Sequence, residues 1–228
     1  MENKPLKVEY LYHSGYTIES GNYFLVFDYF RGNLTIPTDK QVIVFSSHGH
    51  PDHFNEEIFR WSRENGSIIY ILSDDIDVHS TETIKRMGPY EKLNVHDLTV
   101  ETLGSTDMGV SFLVKLEGSV IFFAGDLHWW YWDDDSKGEK RRMETAFKDE
   151  IERLKGQIID LAFVPIDPRL GDFFHLGGEY FINEIHPKKL FPLHFGDNYK
   201  VIGDFINKMG NIDTQIIDVT HRNQVFEV

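Results

Sequence analysis

The chain has 228 residues, a length that fits one domain with a substantial core and is short for two. Its residues are 41% hydrophobic and 14% aromatic, as in a globular protein and unlike a disordered one. The formal net charge of −14, without a long Lys/Arg-rich run, argues against binding to a nucleic-acid polymer. The absence of cysteine excludes disulfides and thiolate metal ligands, so any metal site must be built from histidine and carboxylates.

The first ten residues lack the basic segment and apolar run of a signal peptide, and no stretch reaches the ~20 apolar residues of a membrane span. We therefore expect a single cytoplasmic domain over residues 1–228 that does not associate with a membrane. The formation of a homo-oligomer stays open.

Short strands are predicted in the first half of the chain, because aromatic and β-branched residues recur there between glycines. These strands cover residues 8–13, 16–19, 23–29 and 42–45. After a loop over residues 46–55 we expect a helix over 56–64, a strand over 67–72, and a less regular stretch over 73–91 with room for one short helix.

The second half alternates strands with amphipathic helices. Phe147, Ile151 and Leu154 recur at helical spacing, which predicts a helix over residues 141–155, and a similar pattern predicts another near 201–209. Strands are predicted over residues 98–103, 110–116, 120–124, 161–165, 189–193 and 215–219. Strands followed by helices in both halves indicate an α/β fold, a four-layer αβ/βα sandwich.

The strongest chemical signal is the segment SSHGHPDHF, residues 46–54, in which His48, His50, Asp52 and His53 follow an apolar strand. Imidazole and carboxylate hold zinc, manganese or iron without sulfur, and alternate residues such as His48 and His50 can point to the same side. Asp52 and His53 can then serve a second ion. A chance histidine cluster on a solvated loop is the alternative, and the four-position pattern argues against it.

This His-x-His-x-Asp-His loop after a strand resembles that of the metallo-β-lactamase superfamily, and most of the chain matches that family in order. The resemblance implies two further metal ligands after strands, Asp126 in FFAGDLH and His194 in FPLHFG. Together with the loop they would hold one or two divalent ions, with zinc or manganese expected. Asp52 or Asp126 would orient the attacking water or accept its proton.

Within the superfamily, the segments YHSGYTIE and FLVFDYF resemble the branch that contains the ascorbate-6-phosphate lactonase-like proteins. In that branch a His and an Asp at these places lie near the metals, which implies that His13 and Asp28 orient the metal ligands. The structural alternative is a hydrogen bond to a neighbouring loop for His13 and a turn for Asp28.

The sequence departs from the family at one place. Another His usually lies between the loop and the later Asp, whereas the matching segment LGSTDMGVSF contains none. Asp107 or Thr106, with water, is a possible replacement ligand, and Asp107 can equally cap a turn.

Two other segments are expected to face the same cavity. LHWWYW, residues 127–132 with Trp129, follows Asp126 and can form an aromatic wall, and VPIDPRLG offers Asp167 and Arg169 after a strand. Core packing and a surface ion pair are the respective alternatives. In the functional interpretation, Arg169 anchors an anionic group of the substrate.

These features predict a metal-dependent hydrolase that uses a metal-activated water on a small anionic ester, lactone or related molecule. The preference for a lactone rests on the resemblance, because motif and fold do not choose among ester, lactone, amide and phosphodiester. Two alternatives stay open. One is a phosphodiesterase that acts on a small nucleotide, and the other is a noncatalytic protein whose incomplete ligand set binds a metal or a small molecule.

Overall fold

The computed structural model describes residues 5–63 and 68–228. Met1, the expected helix end at Glu64 and the expected strand start at Ser67 lie outside the described residues. The strands of the first half are β1 (Lys7–Tyr12), β2 (Gly15–Ser20), β3 (Tyr23–Phe27), β4 (Gln41–Ser46), β5 (Ile69–Ser73) and β6 (Ile84–Met87).

Eight more strands and three α-helices follow in the described part of the chain. The strands are β7 (Lys92–Val95), β8 (Leu98–Leu103), β9 (Ser111–Leu116), β10 (Ser119–Phe123), β11 (Leu161–Pro165), β12 (Lys189–Leu193), β13 (Gln215–Ile216) and β14 (Val225–Glu227). The helices are α1 (Lys137–Glu152), α2 (Leu176–Ile185) and α3 (Lys200–Met209), and shorter 3-10 helices cover Glu56–Arg63 and Pro168–Phe173.

The strands form two seven-stranded mixed sheets within the described residues. The first has the order β14-β1-β2-β3-β4-β5-β6 and the second the order β13-β12-β11-β10-β9-β8-β7. Neighbours from β3 to β6 and from β10 to β13 are parallel, and the other pairs are antiparallel. The interior strands β3 and β11 are buried at every position, as expected for strands covered on both faces. The predicted α/β sandwich is confirmed.

Aromatic side chains fill the space between the two sheets. Phe27 of β3 stacks on Phe123 of β10 with ring centroids 4.8 Å apart, and Phe163 of β11 stacks on Phe191 of β12 at 4.9 Å. Tyr16 of β2 meets the Phe163 ring edge-on at 5.0 Å and donates a hydrogen bond to the Pro192 carbonyl. This layer fixes the distance between the sheets and therefore the distance between the loops at their ends.

Several predicted boundaries shift for local reasons. The strand predicted over 23–29 ends at Phe27, because Asp28 adopts a positive φ of 43°. Helix α1 begins four residues before its predicted start, because Ser136 and Glu139 form a capping box there. The strand predicted over 215–219 pairs only at Gln215–Ile216.

Other elements differ from the sequence prediction in kind. The segment 56–63 is a 3-10 helix, and the stretch over 73–91 contains strand β6 where a short helix was expected. Lys85 and Arg86 give β6 a polar character that suits a sheet edge and hides its strand pattern. Strands β7 and β14 and helix α2 were missed. None of the described helices is long and apolar enough to cross a lipid bilayer.

We expect Phe163→Ala to lower the free energy of unfolding by ~3–5 kcal/mol, because it removes a fully buried ring from the layer between the sheets. Urea unfolding monitored by circular dichroism measures the change. Ile158→Ala is the control, since Ile158 is 75% exposed and its removal should change stability by less than ~0.5 kcal/mol. Equal effects of both substitutions would contradict the placement of the core.

Candidate metal centre

The candidate site lies where strands of both sheets end. Its residues follow the carboxyl ends of strands, the edge where open α/β sheets bind ligands. His13, Asp28 and His194 directly follow β1, β3 and β12, and each has a positive φ, of 59°, 43° and 64° respectively. Such backbone conformations are uncommon for residues other than glycine and often mark functional positions.

Two clusters of potential ligand atoms are brought together at this edge. The first donor cluster consists of His48, His50, Asp107 and Asp126, and the second donor cluster of His13, Asp52, His53 and His194. Within each cluster the ligand atoms all lie within 4.8 Å of one another. Each cluster therefore has the size of a site for one cation.

Asp126 lies between the two donor clusters. Its Oδ2 atom is 3.7 Å from Nε2 of His48, and its Oδ1 atom is 3.2 Å from Nε2 of His53 and 3.5 Å from Nε2 of His194. A carboxylate in this position can contact a cation in either cluster.

Buried atoms without partners support a cation at this place. The Nε2 atoms of His13, His53 and His194 and the Oδ1 atom of Asp126 are buried without a well-aligned hydrogen bond among the described residues. Unpaired buried polar groups are rare and costly, and four of them converge here. A donor set of imidazole and carboxylate fits zinc, manganese or iron.

Asp28 fixes the orientation of the His48–His53 loop. Its carboxylate is fully buried and accepts hydrogen bonds from the Ser47 amide, the Ser47 hydroxyl and Nδ1 of His53, each at 2.7 Å. Because Nδ1 of His53 donates to Asp28, its Nε2 atom faces Asp126 and carries the lone pair once the ring is neutral. This is the usual arrangement behind a metal-binding imidazole.

Asp167 performs the same task for His194. Its buried Oδ2 atom lies 2.8 Å from Nδ1 of His194, and its carboxylate also receives the Nε and Nη2 groups of Arg169 at 2.9 and 2.5 Å. Arg169 is thereby held at the edge of the centre, with its guanidinium carbon 5.9 and 5.7 Å from the ring centroids of Trp130 and Trp132.

The charges of the centre shift its pKa values in opposite directions. Burial opposes protonation of His53, but the negative charge of Asp126, 3.2 Å from its Nε2, and the Asp28 carboxylate bonded to its Nδ1 outweigh burial and raise its pKa to about 10. Burial lowers the pKa of both His13 and His48. The pKa of Asp126 lies well below its usual range, because the neighbouring imidazoles outweigh the effect of burial.

Two glycines allow other loops to approach the metal-binding loop. Gly109 has a φ of 71°, and a Cβ atom there would lie 2.0 Å from the Ser47 carbonyl oxygen. Gly125 has a φ of 53°, and its Cβ atom would lie 2.6 Å from that of Ser47. Larger residues at these positions would push Asp107 and Asp126 away from the histidines.

A cavity of about 310 Å³ opens onto both clusters, and its wall includes His50, Asp52, Asp107, Trp130, Trp132 and Arg169. Trp130 and Trp132 stack with ring centroids 5.9 Å apart, and the Trp130 indole donates to the Asp126 carbonyl. The aromatic wall predicted after Asp126 is therefore present.

Trp129 itself is not part of the cavity wall. Its ring packs near Phe147 of α1 and Tyr180 of α2 instead, with ring centroids 6.3 and 6.1 Å away. No local pattern in the segment LHWWYW indicates that Trp130 and Trp132, and not Trp129, line the cavity.

The segment without the family histidine supplies a carboxylate instead. Oδ2 of Asp107 lies 3.4 Å from Nδ1 of His50. The Thr106 hydroxyl contacts the carbonyls of Asp126 and His128 and accepts a hydrogen bond from the His128 amide. These bonds hold the segment after Asp126 against the segment that contains Thr106. His13, expected behind the ligands, has its Nε2 atom within the second donor cluster.

Comparison with known proteins identifies the family. Residues 7–155 match the model of the beta-lactamase superfamily domain. The chain belongs to this superfamily. It is 24% identical over 223 residues to a UPF0173 metal-dependent hydrolase of Opitutus terrae, which covers 86% of this chain and 87% of that protein. It is 26% identical over 217 residues to the UPF0173 metal-dependent hydrolase YtkL of Bacillus subtilis, which covers 83% and 86%.

A solved structure supports the same fold. Igni18, a metallo hydrolase of Ignicoccus hospitalis, superposes with a TM-score of 0.70 at 13% identity over 98% of this chain and 99% of that one. The family match confirms the predicted metallo-β-lactamase fold, and the relatives, which are named metal-dependent hydrolases, support the predicted class of enzyme.

We expect the His53 imidazole of the metal-free chain to stay protonated at pH 8 and to titrate near pH 10, measured by ¹⁵N NMR of the ring. Since a protonated imidazole cannot bind a cation, zinc affinity should rise with pH up to that pKa, by at most roughly tenfold per unit. Asp28→Asn should lower the His53 pKa, because it removes one of the negative charges. Titration of His53 near 6.5 in the original chain would contradict this electrostatic account.

Proposed function

We propose that this chain binds two divalent cations, one in each donor cluster, and hydrolyses a small anionic ester or lactone. The observation that carries the proposal is the convergence of buried, unpaired imidazole nitrogens around Asp126 at the floor of a cavity. The metal ligands are then His48, His50, Asp107 and Asp126 in the first cluster, and His13, Asp52, His53 and His194 in the second.

Divalent ions in such a site supply a nucleophile from water at neutral pH and polarise the oxygen of the bond under attack. Asp52 is suited to orient the water, because its side chain is 43% exposed on the cavity wall. The His13 imidazole, with its Nε2 atom 3.3 Å from Oδ2 of Asp52, keeps the pKa of Asp52 well below its usual range, so the carboxylate stays ionised. Asp126 is nearly buried between the clusters, which suits a bridging ligand better than a group that moves protons.

The donor sets suit borderline metals. The first cluster offers two imidazoles and two carboxylates, and the second offers three imidazoles and one carboxylate. Zinc and manganese both accept such mixtures, with manganese favoured as the share of oxygen rises. We therefore propose zinc or manganese and expect the two positions to differ in affinity.

The cavity supports a small anionic substrate. Its volume of about 310 Å³ suits a small molecule, and Arg169 brings a cation to its wall in a chain with a net charge of −14. The likeness of the segments YHSGYTIE and FLVFDYF to the ascorbate-6-phosphate lactonase-like branch supports a lactone. Cytoplasmic location and a possible homo-oligomer remain part of this proposal.

The stacked pair Trp130 and Trp132 supports a second candidate, a phosphodiesterase that acts on a small nucleotide, because a flat base can pack against indole rings. The proposal of a noncatalytic protein loses its basis, since that idea depended on an incomplete ligand set and Asp107 gives the first cluster four donors. A panel of lactones, esters and cyclic nucleotides, with added zinc or manganese, distinguishes the two enzymatic candidates.

We expect His50→Ala to abolish hydrolysis and to reduce the bound metal from two ions to one, because the first cluster loses one of its four donors. The fold should persist, since His50 is a partly exposed loop residue. Metal content after dialysis, activity on the panel and circular dichroism are the measurements. His79→Ala is the control, because it removes an exposed histidine outside both clusters. Full metal content and activity in His50→Ala would refute the proposal.

We expect Arg169→Ala to raise KM for an anionic substrate about tenfold and to leave KM for its neutral analogue nearly unchanged, because a charged hydrogen bond is lost. Steady-state kinetics on an acidic lactone and its methyl ester test this. Equal changes for both substrates would mean that Arg169 only supports Asp167.

A further inference from the structure

One tyrosine and two arginines form an exposed stack beside the second donor cluster. The guanidinium carbon of Arg31 lies 3.8 Å from the Tyr12 ring centroid, and that of Arg222 lies 4.2 Å from the same centroid. We call Tyr12, Arg31 and Arg222 the guanidinium–tyrosine stack. Its residues do not belong to the wall of the cavity described above.

The guanidinium–tyrosine stack lies close to the metal centre, because Tyr12 is next to His13 and to Gly196. The Tyr12 and His13 ring centroids are 6.1 Å apart, and the Arg31 guanidinium carbon lies 3.8 Å from the Tyr12 centroid. The distance from the Arg31 guanidinium to the His13 ring therefore cannot exceed the sum of these two distances. A Cβ atom on Gly196, two residues after His194, would lie 3.5 Å from the Tyr12 hydroxyl. The stack therefore adjoins the strand ends that carry two members of the second donor cluster.

The two arginines differ in their ionic partners. Arg222 is paired with Asp197, which accepts from its Nε at 2.8 Å and its Nη2 at 2.5 Å. Arg31 is exposed and, within the described part of the chain, makes no hydrogen bond and no ion pair. A guanidinium stacked on a ring keeps its N–H groups at its edges, where they can bind an oxyanion in two places.

This arrangement is unusual in its charge. Two guanidinium groups on one ring repel each other, and the nearby carboxylate of Asp197 pairs directly with Arg222 and acts on Arg31 only through space. Arg31 is held near a centre where Arg169 already supplies a cation, in a chain with 37 acidic and 23 basic residues. An anion beside Arg31 would relieve the repulsion.

We propose that the guanidinium–tyrosine stack is an outer subsite that binds an oxyanion group, carboxylate or phosphate, at the end of the substrate farthest from the bond that is cleaved. This inference rests on the proposed function, because it assigns the far end of the same substrate. Arg169 contacts the acidic group inside the cavity. The substrate then carries a second acidic group, which Arg31 contacts.

The kinetic test uses 4-nitrophenyl esters with two free carboxylates, one beside the ester group for Arg169 and one at the end of an alkyl chain of graded length for Arg31. Each acidic ester is paired with a control, here called the neutral ester, in which only the carboxylate at the chain end is methylated. We expect Arg31→Gln to raise KM for the longer acidic esters about tenfold, to change kcat little, and to leave KM for the neutral esters within a factor of about two. Arg60→Gln is the matched control, since Arg60 is an exposed arginine of the 3-10 helix and carries the same charge. Equal effects of Arg31→Gln on acidic and neutral esters, or no effect on either, would overturn the subsite.

A binding experiment separates this inference from the proposed function. Inorganic phosphate is titrated into the metal-loaded chain, and the arginine Nε–H signals are followed by NMR, with Arg31 assigned through Arg31→Lys. A saturable shift of the Arg31 signal supports the subsite, even if no ester is hydrolysed and the proposed function fails. An unmoved Arg31 signal in a chain that does hydrolyse the esters overturns the subsite alone.

Discussion

The candidate centre depends on the buried carboxylate of Asp28. A buried charge is tolerated only when its lone pairs are satisfied, and here three donors from Ser47 and His53 satisfy them. Ser47 begins the metal-binding loop and His53 lies near its end, so one side chain of the first sheet fixes both ends of the loop. The direction of the His53 ring, and with it the position of the second donor cluster, follows from this contact.

The two sheets contribute to the centre in parallel ways. Asp28 orients His53 from the first sheet, and Asp167 orients His194 from the second, while Asp126 lies between the two rings. The aromatic side chains between the two sheets set the distance between the sheets. That distance in turn sets the separation of the His53 and His194 rings. The first donor cluster is held less firmly, since His50 and Asp107 are each 41% exposed and have fewer buried partners. The two clusters therefore differ more in solvent access than in the number of donors.

Sequence reasoning located most of the strands and the residues of the His48–His53 loop, because both signals are local. Hydrophobic runs identify buried strands, and a short loop with fixed spacing brings its own histidines together. Asp126 and His194 required the resemblance, since nothing local distinguishes an Asp in a strand-ending turn or a single partly buried His. Strand β6 was missed because an edge strand needs little apolar surface, and Lys85 and Arg86 interrupt the apolar pattern between Ile84 and Met87.

The direction of individual side chains was the least predictable feature. Trp129 and Trp130 are adjacent and identical in chemistry, and only the path of the chain after Asp126 decides which one faces the cavity. His13 was expected behind the ligands, and its positive φ at the end of β1 turns the ring toward Asp52 instead. Such turns depend on contacts between distant segments, such as the bond from the His194 amide to the His13 carbonyl. The composition of the chain and the spacing of its residues do not predict those contacts.

Arg169 connects substrate recognition with the metal ligands through Asp167. The same carboxylate accepts Nδ1 of His194 and the fork of Arg169, so the two groups share one negative charge. When Nδ1 of His194 carries its hydrogen, it and the Arg169 Nη2 group 3.2 Å away are both donors and cannot bond to each other. An anion that binds Arg169 weakens the attraction between the guanidinium and the Asp167 carboxylate. The carboxylate then interacts more strongly with Nδ1 of His194. A carboxylate that is less neutralised makes the imidazole behind it a stronger ligand. Binding of an acidic substrate and retention of the metal ligand His194 are therefore favourable to each other in this arrangement.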